Sequence, residues 1–369
     1  MIRIDIHTRQ ISPETKVFVA RPGGKYRFFE LFVERNFVGP DLPGLALPHF
    51  ADLSEVEDLE ERVKRSYDTR KYIFRGERDI DPPVEELEYY RDRPNNRAIS
   101  QLLGVVRAYF RTMKAGDLVI VPPAAFRGRA MIGELTGLPN EVASVRPVEY
   151  DGKPLDGRNV VWRADIEKNK LPAQTLDALQ KPSPLFLVTR EAWPSIFRRA
   201  YGSYSMPNEY AARFEITSDG FQTVDDFRIQ AFFSFVTKNT ELVADGAGRV
   251  LPLKDAAFAS SRIPPELYTN VNSPGGLSLK SSIITPIVIS VMLTLAIVVG
   301  PEAYAQAEAG MILFGNSQAP ANDACTLEVS QQVITQLQLL GYDRWAEACE
   351  VARAASERTG ISTSVGVEN

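Results

Sequence analysis

Apolar and polar side chains follow two kinds of spacing in the first half of the chain. Ile2, Ile4 and Ile6 alternate with polar residues, which predicts an opening strand. Residues 98–113 place apolar side chains three and four positions apart, which predicts an amphipathic helix. Short apolar runs separated by glycine turns follow this helix. Short strands around one inserted helix predict an α+β fold with a small half-open β-barrel.

The longest uncharged stretch, residues 283–300, contains 18 residues and is apolar on every face of a helix. With the serines before it, such a helix approaches the roughly 30 Å thickness of a bilayer's hydrocarbon core. We interpret residues 281–300 as a single transmembrane helix. The alternative is a helix buried in a large protein core, because such a helix is also apolar all round.

Charge is distributed unevenly about this stretch, although the whole chain has a formal charge of only −5. Residues 281–369 contain three arginines, no lysine and nine acidic residues, a formal charge of −6, whereas residues 1–280 carry +1. Positive charge favours the cytoplasmic side of a membrane. The pattern predicts a single-pass protein of the bacterial inner membrane with a cytoplasmic N-terminal part. The first residues lack the apolar core of a signal peptide, which agrees with that orientation.

One face of the predicted membrane helix carries small or hydroxylated residues at a spacing of four. These residues are Ser282, Pro286, Ser290 and Thr294. Such a face lets helices approach closely, or lines a pore when several copies assemble. The stripe therefore predicts pore-lining positions in a homo-oligomer within membrane lipid. In the alternative interpretation, the hydroxyls donate to carbonyls of their own helix and mark no interface.

Both cysteines, Cys325 and Cys349, follow the predicted membrane segment. If residues 301–369 lie on an oxidising face, the two thiols form a disulfide; in the opposite orientation they stay reduced. Two amphipathic helices joined at Gly341 predict a C-terminal helical hairpin suited to self-association. The string Ala303-Tyr304-Ala305 also resembles a signal-peptidase site.

These patterns divide the chain into four parts. They are a ligand-sensing domain (1–200), an α+β extension with a hinge at 272–276 (201–276), the transmembrane helix (281–300) and the C-terminal helical hairpin (301–369).

Four pieces of sequence carry a resemblance to a known domain. They are residues 18–24 (FVARPGG), 113–122 (MKAGDLVIVP), 131–137 (MIGELTG) and the pattern Arg158-x-Val160-x-Trp162. In this order they resemble the PUA/EVE-type domain at the N-termini of Mrr-like restriction proteins, over roughly residues 15–200. The resemblance implies a pocket that reads a nucleobase or nucleotide, often a modified one.

Such a pocket needs flat side chains for stacking and cations for phosphate. The aromatic candidates are Tyr26, Phe28, Phe126 and Trp162, and the cationic candidates are Arg21, Lys25, Arg127, Arg129 and Arg158. Arg127-Gly128-Arg129 is the most distinctive group, because a glycine between two guanidinium groups suits close approach to an anion. Each aromatic residue has core packing as its alternative, and each arginine a solvated surface position.

Catalytic motifs are absent from the sequence. Mrr-like proteins continue into a nuclease domain with a PD-(D/E)xK motif, which this chain lacks, and Asp151-Gly152-Lys153 lies in a predicted turn. With two histidines and no cysteine cluster, neither a zinc site nor another cofactor is predicted. The sequence therefore favours a non-enzymatic protein.

The leading hypothesis is a membrane effector that senses a nucleotide or oligonucleotide and changes membrane permeability as an oligomer. In arrangement it resembles bacterial antiphage effectors, which implies a partner enzyme that synthesises the ligand. The alternatives are a membrane-tethered, restriction-like nucleic-acid enzyme and a non-enzymatic anchor that binds a partner.

Overall fold

The computed structural model describes residues 1–75, 81–171, 173–180, 183–270, 275–319 and 323–368. The chain divides into two compact units, residues 14–200 and residues 1–13 together with 201–369. We call them the central unit and the terminal unit. Both combine helices with sheets, so the α+β part of the predicted fold is confirmed.

The described strands are β1 (Ile2–Asp5), β2 (Arg9–Gln10), β3 (Val17–Ala20), β4 (Phe37–Val38), β5 (Leu118–Val121), β6 (Arg129–Leu135), β7 (Ala143–Val145), β8 (Leu155–Glu167), β9 (Leu185–Leu187), β10 (Tyr204–Met206), β11 (Glu209–Ile216), β12 (Glu266–Asn270), β13 (Gly275–Ser281), β14 (Ile312–Gly315), β15 (Ser362–Thr363) and β16 (Gly366–Glu368). The described helices are α1 (Phe29–Glu34), α2 (Leu59–Arg75), α3 (Arg97–Arg107), α4 (Ala173–Ala178), α5 (Trp193–Tyr201), α6 (Thr223–Ala244), α7 (Leu253–Ala256), α8 (Thr285–Thr294), α9 (Glu302–Glu308) and α10 (Ala324–Thr359).

One curled sheet organises the central unit, in the order β4-β8-β6-β5-β3-β9, with β7 paired to β8. Strands β3 and β5 are parallel, and the other neighbours are antiparallel. The pairing of β6 with β8 shifts register between Ile132 and Gly133. Such an irregularity bends a strand and increases its twist. The result is the half-barrel sheet that the spacing of the short strands predicts.

The amphipathic segment predicted over residues 98–113 forms α3, which continues as a π-helical turn from Ala108 to Thr112. The side chain of Asn96 caps α3 by accepting a hydrogen bond from the Ile99 amide at 3.0 Å. Leu102 and Val106 are buried in the apolar core of the central unit. This helix closes one side of the half barrel.

Two sheets build the terminal unit, and the start of the chain belongs to both. Strand β1 lies between β14, which is parallel to it, and β16, which is antiparallel. Strand β2 pairs with β10 in the second sheet, which has the order β12-β13-β11-β10-β2, with β15 paired to β11. Helices α6, α8 and α10 contribute the largest part of its apolar core.

The single transmembrane helix predicted over residues 281–300 is wrong. Strand β13 ends at Ser281, the first residue of this stretch, and α8 begins only at Thr285. All ten residues of α8 are buried, and the helix packs against α6, α10, β11 and β13. A π-helical turn, Leu295–Val299, continues α8, and together they span about 20 Å, less than the roughly 30 Å of a bilayer's hydrocarbon core. Protein side chains therefore cover every face of this apolar helix.

Within the described ranges, no single helix is both long and apolar enough to cross a bilayer. One pair, Thr285–Val299 and Glu302–Glu308, satisfies the length and composition criteria together, but its two parts are bent by 115°. Gly300 stands at this bend with φ 77°, and its carbonyl accepts a hydrogen bond from the Trp345 indole at 2.9 Å.

The predicted pore stripe lies within this core. The hydroxyl of Ser290 donates to the Ile287 carbonyl at 2.8 Å, and that of Thr294 donates to the Ser290 carbonyl at 2.9 Å. Pro286 is buried in the first turn of α8, and Ser282 is exposed before the helix begins. The hydroxyls that the stripe places within α8 therefore satisfy backbone carbonyls of their own helix.

The C-terminal segments pack in the same unit. Gly341 interrupts α10 with φ 75°, so two helical segments meet at the predicted joint. Cys325 and Cys349 are buried free thiols, and burial raises the pKa of each to about 12. Residues 272–274 of the predicted hinge lie outside the described residues, and Gly275 and Gly276 begin β13.

The burial of α8 can be tested by truncating one side chain. Ile289→Ala removes a fully buried side chain, so we expect the free energy of unfolding to fall by about 3 kcal/mol. Val298→Ala is the control in the same apolar stretch, because Val298 is 52% exposed and its truncation costs about 0.5 kcal/mol or less. Urea unfolding measures both. Equal stability of the two variants would contradict the buried position of α8.

Candidate functional site

The central unit contains an open cavity of about 490 Å³. Three elements form its walls: the loop after β3, one face of α2 and one face of α3. This volume lies within the range of cavities that hold small organic ligands. The cavity is therefore the candidate functional site.

Helix α2 lines the cavity with a regular set of side chains. These are Tyr67, Arg70, Lys71 and Phe74. Their spacing of three, four and seven positions puts them on one helical face. The Lys71 ammonium lies 4.1 Å from the centroid of the Tyr67 ring, and the Arg70 guanidinium carbon lies 5.2 Å from it. Two cations thus lie between two rings along this wall.

Helix α3 forms a wall without charged side chains. Its contributing residues, Ala98, Gln101, Leu102 and Val105, have the same helical spacing. Leu102 and Val105 are buried, whereas Gln101 is exposed. The cavity therefore combines an apolar side with a cationic side, an arrangement suited to a ligand that has a flat apolar part and a charged part.

The third wall is the loop from Arg21 to Arg27, which leaves the end of β3. Gly23 has φ 71°, and a Cβ atom there would lie only 2.5 Å from Cδ2 of Phe28, so a side chain is excluded. Lys25 and Tyr26 adopt φ values of 57° and 59°. Two consecutive non-glycine residues in the left-handed region are uncommon, and they persist only where the surroundings hold them.

The Asp41 carboxylate holds this loop against α2. One oxygen accepts from the Gly24 amide at 3.0 Å, and the other accepts from the Tyr150 hydroxyl. The Arg70 guanidinium lies 3.8 Å from the same carboxylate, whose side chain is only 9% exposed. Burial, together with the negative charge of Asp41, raises the pKa of Tyr150 above its ordinary value, so Tyr150 stays a neutral donor.

Arg27 is fixed between the loop and α2. Its Nε donates to the Gly24 carbonyl at 2.9 Å, and its guanidinium carbon lies 3.5 Å from the centroid of the Phe74 ring. A guanidinium at this distance is stacked on the ring. The stack places a flat cation beside the opening of the cavity.

Positive charge dominates the lining. Its charged residues are the cations Arg21, Lys25, Arg27, Arg70 and Lys71 and one carboxylate, Asp41, a formal charge of +4. Lys25 is exposed and forms no ion pair with any residue that the structure describes. The lining therefore favours an anionic ligand.

Lys168 adds a further cation at the edge of the cavity. Its ammonium lies 5.0 Å from the centroid of the Tyr26 ring. Burial and the positive charge of Arg21 lower the pKa of Lys168 below its ordinary value. Mutual repulsion of this kind is relieved when an anion binds between the two cations.

The structure brings together three of the residues singled out in the sequence. Arg21, Lys25 and Tyr26 line the cavity, and the Arg21 guanidinium also donates to the Leu179 carbonyl. The loop that carries them contains the Arg-Pro-Gly-Gly string on which the sequence resemblance rests in part.

Two other predicted residues lie in the interior or in the sheet. Arg158 is fully buried, and it donates to the carbonyls of Tyr109, Met113 and Gly137 at 2.9, 3.1 and 3.0 Å. Burial lowers the pKa of its guanidinium below the ordinary value. Trp162 is half-buried, and its indole donates to the Val33 carbonyl at 3.1 Å. Neither side chain lines the cavity.

Another aromatic candidate, Phe28, is buried with its ring centroid 5.3 Å from that of Tyr150. The three other predicted residues lie near the start of β6. Phe126 and Arg127 are exposed on the loop before this strand. Arg129 begins β6 and forms a two-bond ion pair with Asp165, in which Nε lies 2.6 Å from Oδ2. That pairing raises the pKa of the Arg129 guanidinium. These three residues are outside the cavity lining.

Sequence reasoning missed the α2 wall. Its signal is the pattern Tyr-x-x-Arg-Lys-x-x-Phe at residues 67–74, which puts two rings and two cations on one helical face. Asp41 was missed as well, because a lone aspartate in a proline-rich loop has no pattern around it.

No family model, curated protein or solved structure matches this chain. Among the residues that the structure describes, no group of three or more His, Cys, Asp or Glu side chains is placed to hold a metal ion.

The hydrogen bonds of Arg158 lead to a stability prediction. Arg158→Met removes the guanidinium donors to three carbonyls, two of them in buried hydrogen bonds, so we expect a loss of roughly 3 kcal/mol in the free energy of unfolding. Arg127→Met is the matched control at an exposed position, with an expected change of about 0.5 kcal/mol or less. Urea denaturation compares the two. Similar unfolding midpoints would show that Arg158 does not support the core.

Proposed function

We propose that the central unit binds a nucleotide through this cavity, with the ring system against the aromatic side chains and the phosphate against the cations. The observation that carries the proposal is the face of α2, where the cations Arg70 and Lys71 lie between two aromatic rings. This face lines the cavity together with the loop of Arg21 to Arg27.

The chemistry of the walls matches the two halves of a nucleotide. A nucleobase is flat and stacks on aromatic rings or on a guanidinium plane such as that of Arg27 on Phe74. A phosphate group accepts charge-assisted hydrogen bonds from arginine and lysine. The apolar surface of Leu102 and Val105 gives the base a water-free side.

The sequence resemblance to PUA/EVE-type domains supports the same ligand class, since it implies a pocket that reads a nucleobase or nucleotide. Ligand binding is the part of the effector hypothesis that the cavity supports. The membrane part depended on a transmembrane helix, and α8 is buried in a protein core. Membrane location, self-association, a ligand-synthesising partner enzyme and a defence role stay predictions from the sequence.

Isothermal titration of the full chain with nucleoside mono-, di- and triphosphates and cyclic dinucleotides tests the proposal. We expect at least one member of the panel to bind, and Lys71→Ala to weaken it by about tenfold, because a charge-assisted contact is lost.

Lys114→Ala is the control for the loss of one positive charge, because Lys114 is exposed and pairs with Glu14 at 2.9 Å. We expect this variant to bind as the parent chain does. The proposal is overturned if no member of the panel binds, or if Lys71→Ala and Lys114→Ala have the same effect.

A further inference from the structure

Lys168 connects the cavity to a second exposed surface of the central unit. Its ammonium lies 5.0 Å from the Tyr26 ring, at the cavity edge, and donates to the Pro123 carbonyl at 2.9 Å. Its amide donates to the Gly128 carbonyl at 2.8 Å. One residue thus joins the cavity lining to both ends of the loop from Pro123 to Gly128.

This loop presents one ring and one cation. The Phe126 side chain is 64% exposed, and Arg127 is exposed with no ion pair to a described residue. A Cβ atom on Gly128 would lie 2.8 Å from Cγ of Pro123, so the close return of the loop requires glycine there. This close approach fixes the backbone of the loop that carries Phe126 and Arg127.

The neighbouring cations differ from Arg127. Arg129 is held by Asp165, and Lys170 is held by Glu167 at 2.9 Å. Their charge is already neutralised locally, which reduces what they contribute to binding an anion. Arg127 and Lys168 form no ion pair with a carboxylate among the described residues, and Glu167, whose pKa is lowered first by Lys170, receives only a small further contribution from Arg127.

We propose that the ligand is a single-stranded oligonucleotide, with one nucleotide in the cavity and the adjoining nucleotides along the path Tyr26, Lys168, Phe126 and Arg127. This inference rests on the proposed function and names its substrate class. A path on which aromatic faces alternate with cations binds successive bases by stacking and successive phosphates by charge.

A single strand fits this path better than a duplex does. In a duplex the base faces are covered by their neighbours, so an exposed ring such as Phe126 finds no free face to stack on. An unpaired strand offers one face per nucleotide, whatever the base. The binding is expected to tolerate sequence changes outside the nucleotide that occupies the cavity.

The test compares a fluorescent mononucleotide, an octanucleotide of the same base and the corresponding duplex by anisotropy with the full chain. We expect the octanucleotide to bind at least about tenfold more tightly than the mononucleotide, because stacking on one ring is worth about that factor. Phe126→Ala removes this advantage and leaves mononucleotide affinity unchanged. Arg127→Ala lowers the slope of log affinity against log salt by about 0.7, the value for one phosphate of a single strand.

Lys114→Ala again controls for charge, and thermal unfolding confirms that each variant is folded. Equal affinity for the mononucleotide and the octanucleotide overturns the oligonucleotide inference and leaves the proposed nucleotide site intact. Tighter binding of the duplex than of the single strand also overturns it. If none of the three probes binds, both proposals fail. If Phe126→Ala weakens mononucleotide and octanucleotide equally, the extended path is wrong.

Discussion

The candidate site depends on one nearly buried carboxylate. Asp41 accepts hydrogen bonds from the Gly24 amide and the Tyr150 hydroxyl and lies 3.8 Å from the Arg70 guanidinium. A charge removed from water needs such partners, because an unpaired buried charge is costly. Gly24 belongs to the loop and Arg70 to α2, so the pairing of this one carboxylate fixes the loop against α2. The same anchor accounts for the persistence of left-handed φ values at Lys25 and Tyr26.

Local patterns in the sequence predict part of this arrangement. The amphipathic α3, the half-barrel sheet and the glycine loop after β3 follow from spacing and turn chemistry, and the resemblance identifies Arg21, Lys25 and Tyr26. The α2 wall does not follow, because a helix rich in charge is usually a solvated face. Only the tertiary position of the loop determines which face of α2 borders a cavity. Arg158 shows the same limit, since nothing local reveals the three carbonyls that surround it.

The prediction of a transmembrane helix from the apolar stretch at 283–300 was wrong for a different reason. A helix that is apolar on every face fits a bilayer or the centre of a protein core, and its own sequence is the same in both cases. The information that distinguishes them lies far away along the chain. Strand β1 pairs with β14 and β16, so residues from both ends complete the unit that surrounds α8. The uneven charge of the C-terminal part then describes the surface of that unit and needs no membrane to explain it.

The cavity lining and the whole chain have formal charges of opposite sign. The chain has a formal charge of −5, yet the cavity lining carries +4. Placing cations side by side costs free energy, and at the cavity edge burial and then the charge of Arg21 lower the pKa of Lys168. Asp41 offsets only one of the positive charges. A bound anion would neutralise others, and it would be attracted to this region while the rest of the molecule repels it. The clustered cations of the lining are therefore the physical reason why the proposed ligand carries phosphate.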